Sequence, residues 1–122
     1  MSVPVEPRPL NSGERAVMGH VLSADFPGSE ELRCQLDNVE VVAQWGVGSV
    51  SVDLVVRGDF PVAPVPSGVA PVEATVVDQS GELVGEIILW TQSGALSGLE
   101  YAWYGDEPPA FLPAVDRIVV TT

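Results

Sequence analysis

The chain has 122 residues, 46% hydrophobic and 18% charged, and a net charge of −12 from 17 acids against five arginines and no lysine. That length suits one domain with a single core, and that apolar content excludes a disordered chain. The negative charge argues against nucleic acid and against an anionic membrane surface, since both would be repelled, while favouring encounter with a basic partner.

Pro4, Pro7 and Pro9 mark residues 1–10 as a flexible, extended N-terminal segment ahead of a single domain over 11–122. Asn11 followed three residues later by Glu14 reads as a capping box, and Ala16, Val17, His20, Val21 and Ala24 keep helical spacing. A helix is predicted over about 12–24, stopped by Pro27-Gly28. It is the only strong helix signal.

The remainder reads as strands. In "ELRCQLDNVEVVAQW", a turn at Asp37-Asn38 pairs Leu36 with Val39, Cys34 with Val41 and Leu32 with Ala43, all on one face. One long strand with a bulge is the alternative. "SVSVDLVV" alternates, with Val50, Val52, Leu54 and Val56 inward. The prolines and glycines of 58–71 make a loop or an edge segment. A meander follows: "VEATVVD", a turn at 79–82, then "LVGEIILWT" and "LSGLEYAWY" joined at 92–95. "RIVVTT" is a last strand. These elements predict an α+β fold, one N-terminal helix packed on a mostly antiparallel sheet of five to seven strands.

The inventory of reactive groups is small. His20 falls beside the helix's apolar stripe and reads as a boundary residue. Cys34, the sole cysteine, reads as a small core residue and can form no intramolecular disulfide. There is no His/Cys set for zinc, and "DQSGE" at 78–82 is better explained as a turn than as a calcium loop. "GVGSV" at 46–50 lacks the lysine and helix of a phosphate loop. "RGD" at 57–59 matches an adhesion tripeptide by coincidence. No cofactor and no enzymatic activity are expected. The N-terminus lacks the pattern of a secretory signal, and the longest apolar run, "LVGEIILW", is broken by Glu86. A cytoplasmic protein is expected.

The most distinctive stretch is "LSGLEYAWYGDEPPAFLP", Leu96 to Pro113. Placing the turn at Ser93-Gly94 pairs Leu99 with Ile88, Glu100 with Ile87 and Tyr101 with Glu86. That register puts Ile88, Trp90, Leu99 and Trp103 in the core. It leaves Ile87, Leu89 and Leu96 on a second face with Glu100 and Tyr104, to be covered by the N-terminal segment or by a partner. Glu100, inside an apolar strand, then either meets an arginine or backbone N–H groups, or joins Tyr104, Asp106 and Glu107 in a binding face.

The span "GEIILWTQSGALSGLEYAWYGDEPPAFLP", with "LRCQLDNVEV" before it, resembles small uncharacterised bacterial proteins. In these a G-x-I-x-L strand leads to L-S-x-L-E, an aromatic and D-x-P-P. Some are suspected immunity-like partners of toxins, so the resemblance implies a compact α+β fold and a protein partner, and supplies no catalytic residues. The leading expectation is a non-catalytic, immunity-like protein-binding module that recognises a basic protein through Glu100, Tyr104, Asp106 and Glu107. The alternatives are a small-molecule or weakly catalytic pocket between helix and sheet, marked by His20, Trp45 or Trp90 near Glu100, and self-association through the sheet's second face. The oligomeric state is left open.

Overall fold

The computed structural model describes residues 2–122. The fold is α+β, with two helices and a sheet whose recorded pairings are all antiparallel. In chain order the elements are β1 (Val3–Pro9), α1 (Ser12–Leu22), α2 (Ser29–Gln35), β2 (Val39–Gln44), β3 (Val52–Val56), β4 (Gly68–Val69), β5 (Glu73–Val77), β6 (Leu83–Gln92), β7 (Ala95–Trp103) and β8 (Ile118–Thr121). Across the sheet they run β1-β2-β3-β7-β6-β5-β8, with two-residue β4 alongside β6.

The helix expected over 12–24 is α1, and its start follows from the sequence. The Asn11 side chain accepts from the Glu14 N–H at 2.8 Å, while the Asn11 N–H donates to the Glu14 carboxylate at 2.9 Å. Both satisfy groups that a helix end would otherwise leave unpaired. Val17, Met18, Val21 and Leu22 are buried at helical spacing.

Three expectations are corrected. Residues 3–9 belong to the sheet as edge strand β1, pairing with β2. Prolines are tolerated on an edge, where the missing N–H groups need face no neighbour. Residues 29–35, read as a strand, form the second helix, so the helix is not a single N-terminal one. The buried positions Leu32, Gln35 and Leu36 recur at three and four, not at two. Glu30 and Glu31 favour the first turn of a helix through its dipole. Asp37-Asn38 is therefore no hairpin turn but part of a short 3-10 turn, Leu36–Asn38, leading into β2. Cys34 consequently is exposed rather than in the core.

The third correction concerns register. The β6–β7 hairpin does turn at Ser93-Gly94, both with positive φ (52° and 78°), the two-residue geometry that matches strand twist. Beyond Thr91 opposite Leu96, however, β7 bulges by one residue, and Trp90 faces Gly98. Leu99 then opposes Leu89, Glu100 opposes Ile88 and Tyr101 opposes Ile87. A one-residue slip exchanges the faces of one strand relative to the other. Ile87, Leu89, Leu96, Leu99 and Tyr101 are thus buried together, while Ile88, Trp90 and Glu100 lie half-buried on the outer face. The core joins the buried faces of both helices to β2, β3, β5, β6, β7 and Ile118 of β8.

Candidate functional site

β3 follows β7 only as far as the Val52–Leu99 pair. Before Val52, the glycine-rich connection 46–51 bends away, and the amide of Tyr101 donates instead to the Ser51 hydroxyl at 2.9 Å. The gap is a cavity of about 530 Å³, walled by Trp45, Val47, Tyr101, Trp103, Pro108 and Pro109, with Glu100 also among its lining residues. Its aromatic and proline walls make it largely apolar. Burial pushes the Tyr101 phenol above its ordinary pKa, because the charged phenolate would lose hydration there.

The acid is held by an aromatic. The Trp90 indole N–H donates to Glu100 Oε1 at 3.0 Å. Trp90 reaches it by lying across Gly98, where an added Cβ would stand 3.3 Å from the Trp90 Cβ. A second pair has the same chemistry: the Trp45 indole N–H donates to Asp53 Oδ1 at 3.1 Å, and the Ser2 hydroxyl to Asp53 Oδ2 at 2.7 Å. Asp53 faces Gly98 across β3 and β7, so the two indole–carboxylate pairs neighbour one another. Among the described residues neither acid has a cationic partner. The recorded ion pairs are Arg8–Glu14, Arg15–Asp37 and Arg57–Glu40. Arg33 donates to the Leu22 carbonyl, and Arg117 lies in the field of Asp78.

Of the expected site residues, Glu100 is at the cavity, met by an indole N–H rather than by the expected arginine or backbone amide. Tyr104, 57% exposed, and Asp106 and Glu107 lie on the exposed segment that links the wall residues Trp103 and Pro108. They border the cavity along the chain without lining it. Trp103, assigned to the core from its alternation, is 41% exposed and forms a wall. The loop 46–51 carried a visible signal, a tryptophan followed by glycines and serines between two strands, but its role depends on where β3 leaves β7.

A second cavity of about 670 Å³ lies between the start of α1, the sheet at Gln44 and Val52, and the loop 110–115. Arg8 and Glu14 form a bidentate pair in its lining, at 2.8 and 2.9 Å. The hydrogen bond to Glu14 holds the Arg8 guanidinium above its ordinary pKa. His20 takes no part in either cavity. Its Nε2 lies 3.0 Å from the Ile118 carbonyl oxygen, tying α1 to β8. Among the described residues no group of three or more His, Cys, Asp or Glu is placed to hold a metal ion. Among the described residues no helix is long and apolar enough to cross a membrane. No family model, no curated protein and no solved structure matches the chain.

Proposed function

We propose that the chain is a non-catalytic, immunity-like binding module that takes a basic protein partner on the face around Glu100. The observation that carries this reading is Glu100, a half-buried acid lining an aromatic cavity, whose carboxylate meets an indole N–H and, among the described residues, no cation. A carboxylate near aromatic faces suits a guanidinium or ammonium group, which gains from both. Asp53 nearby and the exposed Asp106 and Glu107 extend the same sign of charge, and a net charge of −12 speeds encounter with a basic surface. A toxin that cleaves nucleic acid is a fitting target, because its site is built for phosphates and an acidic surface can occupy it.

The test is a pull-down at low salt from the organism that makes the protein, followed by affinity measurements on the purified partner. The expected partner is basic, and its affinity falls as salt rises from about 0.05 to 0.5 M, where screening is strong. Glu100→Gln keeps an oxygen for the Trp90 indole, so the melting midpoint should hold while affinity drops about tenfold, the equivalent of one charge-assisted contact. Recovery of no basic partner, or an affinity indifferent to salt and to Glu100→Gln, would remove the reading.

The 670 Å³ cavity beside α1 favours a second reading, a small-molecule site between helix and sheet. Thermal-shift screening of small carboxylates and polar metabolites separates the two. A stabilising ligand whose effect disappears in Gln44→Leu supports it, and no stabilisation by any compound counts against it.

A further inference from the structure

We propose that the partner enters as an extended strand added to the open edge of β7 between Tyr101 and Trp103, with an arginine or lysine side chain in the cavity beside Glu100. This rests on the basic-partner reading above and specifies how that partner is held.

The hydrogen-bond parity of β7 leads there. Tyr104 N–H donates to the Val84 carbonyl, so even-numbered positions Glu100, Ala102 and Tyr104 turn their backbone groups toward β6. Odd-numbered positions turn theirs toward β3. Leu99 is opposite Val52 there, and the Tyr101 N–H is taken by a serine side chain instead of a strand. Among the described residues, no strand partner reaches the Tyr101 carbonyl or the Trp103 N–H and carbonyl. These groups form a ladder segment of about 7 Å, at about 3.4 Å per residue, facing the 530 Å³ cavity. Pro108 and Pro109, also in the lining, have no amide hydrogen to donate to this edge.

Strand addition of this kind draws affinity from the main chain and specificity from alternate side chains. Charge selects the occupant. Glu100 lines the cavity and Asp106 and Glu107 follow in the adjoining segment, so a second copy of this edge would bring like charges together. An extended segment with arginine or lysine at alternate positions has the complementary charge. Trp45 and Trp103, which line the same cavity as Glu100, offer its cationic side chain aromatic faces.

Capped six-residue peptides of alternating arginine and valine provide the probe, in the arginine form, with glutamate replacing arginine, and with N-methyl groups on either the arginine or the valine nitrogens. Binding is read by tryptophan fluorescence and calorimetry at low salt, and by amide exchange at Trp103. The parent peptide should bind and slow exchange of the Trp103 amide at least about tenfold, since a new ladder bond must open first. One N-methyl isomer should lose about tenfold or more in affinity and the other should keep it, because only alternate amides of an added strand face the edge. The glutamate peptide should not bind. If both N-methyl isomers bind like the parent, if both lose alike, or if Trp103 exchange is unchanged, strand addition is overturned while the basic-partner reading stands. If the glutamate peptide binds as well as the parent, or the arginine peptide does not bind at all, the charge argument common to both fails.

Discussion

Gln35 shows how one residue can hold three elements together. It is fully buried (0% exposed), and its amide nitrogen donates to the carbonyls of Pro61 and Gly94, each at 2.8 Å. Its amide oxygen accepts from the Leu96 N–H at 2.9 Å. The side chain thereby ties α2 to the β6–β7 turn and to the loop before β4, and satisfies backbone groups that the core would otherwise strand. Gln35→Leu keeps the volume but strands those groups. It should lower unfolding stability by about 3 kcal/mol, within the range for several buried polar groups left unpaired. Gln35→Glu should cost more, because a carboxylate would face two carbonyl oxygens. Urea titration of both variants checks the order, and a Gln35→Leu variant as stable as the parent would show the bonds to be dispensable.

Between elements, one ion pair crosses the join of β1 to α1. Arg8 at the end of β1 forks onto Glu14 in the first turn of α1, and the Glu14 side chain is only 4% exposed while that of Arg8 is 39% exposed. The carboxylate also accepts the Asn11 amide, so removing Arg8 leaves it partly satisfied. Solvent at Arg8 screens the pair, which places the expected loss for Arg8→Ala at about 1–2 kcal/mol, below that of a wholly buried pair. Because β1 is an edge strand paired on one side only, to β2, and this contact ties its end to α1, the amides of residues 3–9 should lose exchange protection in the variant before those of β6 and β7 do. Uniform loss across the sheet would show that β1 and the central strands open together. The β6–β7 hairpin is held differently, by its positive-φ turn and by the bulge that turns Ile87 and Leu89 inward.

For the molecule as a whole, charge opposes compactness. The ion pairs engage three of the five arginines, and the remaining excess of acids is spread over a small surface. Mutual repulsion of these acids destabilises the folded state more than the expanded chain. Raising sodium chloride from about 0.02 to 0.5 M shortens the screening length several-fold and should raise the melting midpoint by about 3–5 °C, the shift expected for somewhat under 1 kcal/mol in a domain of this size. A midpoint that falls with salt would mean that the surface pairs outweigh the repulsion.

The α1 start, the strands β3, β5, β6, β7 and β8, the turn at Ser93-Gly94 and the inward position of Leu99 were all legible in the sequence. Each follows from short-range rules: a cap three residues from its partner, a two-residue alternation, a turn that needs positive φ. Glu100 was legible too, as an acid among apolar neighbours. What only the tertiary structure decided are matters of relative placement. Residues 29–35 alternate well enough for a strand, and become a helix because Leu32, Gln35 and Leu36 then reach one core together. The bulge in β7 leaves no mark that alternation can read, yet it moves Trp90 to the outer face, where its indole takes the Glu100 carboxylate. The cavity exists because β3 parts from β7 after one end of their pairing, which depends on strands nearly 50 residues apart in the chain (Ser51 to Tyr101 spans 50). A local pattern specifies which way a side chain points along its own strand; only packing between distant strands specifies what stands opposite it.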